Sequence, residues 1–167
     1  MEKLLEGYQH SKQNKEDNKI IVPIQYDDTN TEVRAAVADT FSFLLCRPHR
    51  LTNQLLSYEE RYYPLFLASS NCLVGPTSLF TQFPFREDIP FVYEDLIMTG
   101  QMSTAGIQIV CDTRSSVIHS HHHTNKLSSL YINTPSRAYY KAKHRLVLVH
   151  TIATSPDLFL FYMMGFL

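Results

Sequence analysis

The stretch GIQIVCDTRSSVIHSH, residues 106–121, decides the predicted fold, because strand-forming residues replace helical spacing after Gly106. Within this stretch, residues 107–111 and 117–121 are predicted to form strands. Further apolar runs follow at residues 130–133, 146–153 and 158–164. The last two runs flank Thr154, Ser155, Pro156 and Asp157, which are all turn residues. A β-hairpin is therefore predicted at residues 146–164.

Helical patterns precede this stretch. Thr29 and Glu32 form a capping box, and apolar residues recur at helical spacing from there until Pro48. A second helical pattern covers residues 52–63, with Arg61 on its solvent side, and ends at Pro64. Residues 20–24 form a short strand signal. This order predicts an α+β fold in which N-terminal helices pack on a mainly antiparallel C-terminal sheet.

The 167 residues are a length typical of one domain, and 44% of them are hydrophobic. Residues 10–19 are polar and charged, without an apolar anchor. We therefore expect a mobile, charged N-terminal arm over residues 1–19 and a single globular domain over residues 20–167. In an alternative, Leu4, Leu5 and Tyr8 form a turn of amphipathic helix that docks elsewhere.

The net charge and the first residues of the sequence limit the partners and the location that we expect. The formal net charge is -1, so no global field attracts nucleic acid or an anionic membrane. The first residues lack the apolar core of a signal peptide, and the apolar run at residues 158–164 is too short to cross a bilayer. We expect a soluble protein that is cytoplasmic or otherwise intracellular, is not secreted and has no membrane partner.

The most unusual local feature is HSHHHT, residues 119–124, which holds four of the eight histidines. In an extended chain His119, His121 and His123 share one face, where three imidazoles could bind a divalent metal such as zinc, manganese or iron. The alternative is a polar strand end or exposed turn whose histidines bind nothing. Both interpretations stay open at this point.

The same residues resemble the motifs of two enzyme families. HSHHH followed by Ser128 and Ser129 resembles the HxHP motif and downstream serine of JAMM-type zinc isopeptidases, with His122 in the place of the proline. That resemblance implies Glu94 as the catalytic glutamate. HHHTNKLSSLYIN is similar to the core of HNH nucleases, which implies His121 as the base that activates water and Asn133 as the late asparagine. Because fewer than twenty residues fit both families, we assign the chain to neither.

A second constellation lies in SRAYYKAKHR, residues 136–145. In an extended chain Tyr139, Lys141, Lys143 and Arg145 share one face, a pattern found at anion and single-stranded nucleic-acid sites. The alternative is a solvated face whose lysine stems cover apolar neighbours. Nucleic acid is thus a minor partner hypothesis.

The sequence as a whole favours a non-enzymatic protein-protein interaction or assembly subunit of a viral or cellular complex, which associates with itself or with another protein. Glycine-rich nucleotide loops are absent, and residues 158–167 are almost entirely apolar. The alternative is a metal-dependent hydrolase, isopeptidase-like or nuclease-like, that uses His119, His121 and His123 with Glu94 as its base.

Overall fold

The structure is a computed structural model, and it describes residues 2–13, 18–26, 37–42, 47–50, 58–69, 72–89, 93–118 and 134–165. The helices in these ranges are α1 (Glu2–Gln13), α2 (Thr77–Gln82), α3 (Glu94–Thr104), α4 (Pro135–Ile152) and α5 (Ser155–Gly165). The strands are β1 (Lys19–Tyr26), β2 (Val37–Ser42), β3 (Arg47–Arg50), β4 (Tyr62–Leu65), β5 (Leu67–Ala68) and β6 (Gln108–Ile118).

The first sheet has the strand order β1-β6-β4. Strand β1 runs parallel to β6, whereas β4 runs antiparallel to it, so the sheet is mixed. Strand β6 is central, and its residues from Ile109 to Asp112 are all buried. A strand buried on both faces needs a continuous apolar run, which Ile109, Val110 and Cys111 supply.

Two different layers cover the faces of this sheet. On one face Ile20, Val22 and Ile109 pack with Met98 and Met102 of α3. The opposite face presents Ile21 and Val110 to Leu4 of α1; a further set of partly buried residues packs around them, namely Tyr8, Tyr62, Cys72 and Val74. Alternate residues of β1 therefore enter two separate apolar clusters.

A bulge interrupts the pairing of β1 with β6. Pro23 pairs with Asp112, but the next residue, Ile24, pairs with Ser116. The Asp112 carboxylate accepts a hydrogen bond from the Arg114 backbone N–H at 3.1 Å. Proline has no N–H to give to a ladder, and such irregularities occur where strand pairing is locally broken. Asp112 thereby holds the bulge together.

The second sheet, of order β3-β2-β5, is antiparallel and packs against α3 and α4. Thr99 of α3 joins it, because its hydroxyl accepts from the Ala68 N–H at 3.1 Å and donates to the Ala68 carbonyl at 3.0 Å. Helix α4 packs on α3 at Gly100, where an added Cβ would lie 2.6 Å from the Ile152 Cγ2 atom. The small residue thus permits the close approach of the two helices.

The α+β class is confirmed, but the predicted arrangement of N-terminal helices on a mainly antiparallel C-terminal sheet is wrong. The sheet that forms the centre of the core is mixed, and most of the helical residues lie in the C-terminal half. The strand predicted at residues 20–24 lies within β1, and the one at residues 107–111 falls in β6 except for Ile107.

Both predicted N-terminal helices are wrong where the structure describes them. The first covers Val37–Ser42, which is strand β2, and the second covers Tyr62 and Tyr63 of strand β4. A spacing of four residues brings side chains to the same side of a strand as well as of a helix, so Val37 with Phe41 satisfies both patterns. Residues 29–36, 43–46 and 52–57 of these predictions lie outside the described residues.

The predicted C-terminal hairpin is also wrong, because residues 146–153 belong to α4 and its end and residues 158–164 belong to α5. The Asp157 carboxylate accepts hydrogen bonds from the Thr154 N–H at 3.0 Å and from its hydroxyl at 2.5 Å. Thr154 and Asp157 therefore act as the start of a helix, with Pro156 in its first turn. Turns and helix caps use the same residue types, which explains the error.

Within the predicted N-terminal arm, residues 2–13 form helix α1, and Lys19 is already the first residue of β1. Leu4 of α1 is only 1% exposed and packs against Ile21 and Val110. This matches the alternative in which residues near Leu4 form an amphipathic helix that docks. The mobility of the arm and the domain boundary at residue 19 stay predictions. Among the described residues, no helix combines the length and the apolar composition required to cross a bilayer.

Candidate interaction surface and the Glu94 cluster

Helix α5 carries apolar side chains on every side. Leu158 and Phe161 are half-buried on one side, whereas Phe159, Leu160 and Met163 on the other side are 65%, 59% and 54% exposed. A helix that is hydrophobic all round is normally buried all round. The outer side of α5 thus has the apolar composition of a protein core, although it is exposed to solvent.

Helix α4 extends this exposed area. Leu146 is 46% exposed, and His150, which is also exposed, follows it one turn later on the same side. The His150 Nε2 atom lies 2.6 Å from the Tyr162 hydroxyl of α5, with ring centroids 5.8 Å apart. We call the area formed by these side chains the α4–α5 surface, and it consists of Leu146, His150, Phe159, Leu160, Tyr162 and Met163.

A second candidate site is the junction where α3 begins beside α4. Tyr93 precedes α3 in the left-handed region, with φ 74°, an uncommon conformation for a residue that is not glycine. Arg145 of α4 donates to the Tyr93 hydroxyl from Nε at 3.3 Å and from Nη2 at 3.0 Å. Its guanidinium also lies 5.8 Å from the centre of the Tyr93 ring. These contacts join α4 to the first turn of α3.

Glu94 lies at this junction beside His144. Its Oε2 atom is buried and has no hydrogen-bond partner within the described ranges. Burial raises the pKa of the Glu94 carboxyl above its ordinary value, and the nearby Asp95 raises it further, whereas a hydrogen bond to its own backbone and the nearby His144 lower it by less. His144 is fully buried, with its ring centroid 5.5 Å from that of Tyr140. The junction therefore places a carboxyl group near an imidazole, and both kinds of group are used in proton transfer.

The chain matches no family model, no curated protein and no solved structure.

The predicted metal ligands His119, His121 and His123 lie outside the described residues, as do Ser128, Ser129 and Asn133. Within the ranges that the structure describes, no group of three or more His, Cys, Asp or Glu side chains could hold a metal ion. The metal site stays a prediction. Of the residues tied to the hydrolase hypothesis, Glu94 is described and lies at the junction above.

The predicted anion-binding row does not share one face, because residues 136–145 are helical rather than extended. Tyr139, which is 63% exposed, and Lys143 lie one turn apart on the outer side of α4. Lys141 and Arg145 are half-buried on another side, and Arg145 is engaged with Tyr93. The helix thus separates the four residues into two pairs on different sides of α4. Tyr139 lies near Lys143, and Lys141 lies near Arg145.

Sequence reasoning missed the partner of Arg61, which it placed in solvent. The Arg61 guanidinium donates from Nε and Nη2 to the two oxygens of Asp112, each at 3.2 Å, and the Asp112 side chain is fully buried. The hydrogen bond to Asp112 raises the pKa of Arg61. Asp112 is therefore held in an ion pair beside the bulge. Its position within an apolar strand was the available signal, because buried carboxylates need a partner.

Proposed function

We propose that this chain is a non-enzymatic assembly subunit that associates with a second copy of itself through the α4–α5 surface. The observation that carries the proposal is the exposure of Phe159, Leu160 and Met163 on the outer side of α5. Contiguous exposed apolar residues mark interaction sites in soluble proteins. Burying these side chains between two subunits would remove their apolar area from water.

The charge of the surface favours a second copy as the partner. From Leu158 to Gly165 the sequence of α5 has no charged residue, and Asp157 at its start is bound by Thr154. Two copies of this helix can approach without repulsion between like charges. A twofold axis would place the same apolar patch on both sides of the interface, as in the commonest oligomers.

The experiment is sedimentation velocity over a concentration series that reaches the micromolar range. We expect the wild-type chain to form a dimer or larger closed assembly. Phe159→Glu should weaken association by at least about tenfold, since a buried unpaired carboxylate costs more than about 1.4 kcal/mol. Phe85→Glu is the matched control, because Phe85 is 50% exposed and lies outside the α4–α5 surface.

A wild-type chain that stays monomeric throughout the series would contradict the proposal. Equal weakening by Phe159→Glu and Phe85→Glu would also contradict it, because association would then not depend on α5. Circular dichroism of both variants establishes that each is folded before their association is compared.

A second candidate function is a metal-dependent hydrolase in which Glu94 is the general base. Its support is the buried Glu94 Oε2 atom beside His144, together with the histidine-rich sequence at residues 119–123. Elemental analysis of the purified full chain tests it. One tightly bound equivalent of zinc, manganese or iron per chain, lost in His121→Ala and kept in Glu94→Gln, would favour the hydrolase over the assembly subunit.

A further inference from the structure

We propose that a cavity beside Lys19, where β4 and the start of β6 meet the end of α3, binds a small molecule that carries a carboxylate on an apolar body. This Lys19 cavity has a volume of about 420 Å³. Sites for small molecules have volumes of about 300 to 1,000 Å³, so the space is sufficient for such a ligand. None of its described lining residues belongs to α4 or α5, so the proposal is independent of the α4–α5 surface.

Three adjacent strands contribute side chains to the Lys19 cavity from one face of the first sheet. Lys19 at the start of β1 pairs with Gln108 at the start of β6. Two residues further along β6, Val110 pairs with Pro64 of β4. Paired residues, and residues two apart in one strand, lie on the same face of a sheet. Helix α1 covers this face at Ile21 and Val110, but supplies none of the described residues that line the cavity. This face of the sheet thus extends beyond α1 into the cavity.

The wall formed by β4, the chain after it and the end of α3 is mainly apolar, with Pro64, Phe66, Ile107 and Val110 in the lining. Pro64 is exposed, and Phe66 and Ile107 are half-buried. The Ser103 hydroxyl donates to the Phe66 carbonyl at 2.6 Å, which joins the end of α3 to the chain after β4. A hydrocarbon body placed against this wall would remove apolar area from water, which favours binding.

The charge of the lining favours a carboxylate on that body. Among the described lining residues Lys19 is the one basic residue, and none is Asp or Glu. Lys19 is only 7% exposed, and its Nζ atom lies 5.1 Å from the centre of the Tyr62 ring. Electrostatic interactions are stronger where water is largely excluded. A carboxylate in the cavity would bring an opposite charge to the ammonium and accept a charge-assisted hydrogen bond from it.

Gln108 supplies a second polar group at the open side of the cavity. Its side chain is next to that of Lys19, because the two residues are paired, and its amide is a hydrogen-bond donor. A carboxylate has two oxygens, so one can accept from Lys19 and the other from Gln108. Gln108 and Gly106 are exposed, and a Cβ added at Gly106 would meet no atom within 4 Å. A ligand can therefore enter from solvent on this side.

The test is a titration of the isotope-labelled full chain with phenylacetate, followed by its amide chemical shifts. We expect saturable binding with a dissociation constant of about 1 mM or tighter, as suits a ligand of this size. The largest shifts should lie around Lys19 and Gln108. Phenylacetamide has nearly the same shape but no charge, and it should bind at least about tenfold more weakly, because it accepts no charge-assisted hydrogen bond from Lys19.

Two variants test the polar groups. Lys19→Met keeps an apolar stem without the ammonium, and Gln108→Glu places a carboxylate beside Lys19. Each should weaken phenylacetate binding at least about tenfold, and Lys19→Met should change phenylacetamide binding by less than about twofold. Gln82→Glu is the matched control, because it makes the same change of charge at an exposed residue at the end of α2, outside the described lining. Circular dichroism establishes that each variant is folded, and Gln108→Glu decides if Lys19→Met is not.

Equal affinity for phenylacetate and phenylacetamide would overturn the proposal, because the charge of Lys19 would then not favour the carboxylate. Absence of saturation up to about 10 mM phenylacetate would also overturn it, as would shifts that are largest in α5. Equal weakening by Gln108→Glu and Gln82→Glu would place the binding outside the cavity and overturn it as well. Self-association is measured separately by sedimentation, so each of these results leaves the assembly proposal intact.

Discussion

The β1–β6 pair and helix α5 are built from similar apolar residues but have opposite surroundings. In the strands, Ile20, Ile21 and Val22 are fully buried because α1 covers one face of the sheet and α3 the other. In α5, Phe159 and Leu160 are more than half exposed. The strands are covered on both faces within this chain, whereas the outer side of α5 is exposed. The difference is the basis of our proposal that the outer side of α5 is covered by association.

The two regions also use polar contacts differently. In the sheet, the fully buried Asp112 carboxylate, which lies beside the bulge, forms an ion pair with Arg61. In the C-terminal helices, the contact between His150 and Tyr162 is exposed. The first contact compensates for a charge that is buried within the chain, while the second joins α4 to α5 at the surface.

The largest expected effect is a difference in the free energy of unfolding between a substitution in the β1–β6 pair and one in α5. Ile109→Ala in β6 should reduce the free energy of unfolding by about 2 to 5 kcal/mol, because Ile109 is buried in a packed cluster. Leu160→Ala on the outer side of α5 should change it by less than about 0.5 kcal/mol in the monomer. Urea denaturation at a concentration where the chain is monomeric measures both. A Leu160→Ala cost similar to that of Ile109→Ala would show that this side of α5 is covered within one chain.

The next effect concerns the ion pair in the sheet. Arg61→Ala should lower stability by about 3 kcal/mol, because it leaves the Asp112 carboxylate buried without its cation. The matched control is Arg86→Ala, since Arg86 pairs with Asp88 at the surface and should cost less than about 1 kcal/mol. Adding Asp112→Asn to Arg61→Ala should recover part of the loss. Equal losses of stability in Arg61→Ala and Arg86→Ala would contradict this prediction, because the buried Arg61–Asp112 pair would then matter no more than the exposed Arg86–Asp88 pair.

The smallest expected effect concerns Glu94, at the junction where α3 begins beside α4. Burial raises the pKa of Glu94 in the folded chain, so folding favours its protonated form. The charged carboxylate therefore opposes folding above the ordinary pKa of glutamate, and this penalty disappears as the pH falls below it. Glu94→Gln should raise the thermal midpoint at neutral pH, with a smaller gain near pH 4. A gain that is independent of pH would mean that ionisation of Glu94 is not its cause.

Some of these features could be anticipated from residues near one another in sequence. The apolar run at residues 107–111 was sufficient to predict most of the buried start of β6, and Ile20 to Ile24 predicted part of β1. The Arg61 partner could not be found in this way, because Asp112 is 51 residues away. Glu94 was singled out from a resemblance, but its neighbour His144 belongs to another helix. Only packing of α3 against α4 brings the two together.

By itself, the sequence determined the α+β class and the apolar character of β1, β6 and α5, because composition and short apolar runs are local properties. The tertiary structure decided whether Val37–Ser42 and residues 158–164 became strand or helix. Spacings of four residues fit both periods, and a run that is apolar throughout fits a buried strand as well as a helix. Pairing of β2 with β3 and β5 resolves the first case, and the cap at Thr154 resolves the second. Exposure of the outer side of α5 was likewise decided by packing, since burial depends on which elements meet.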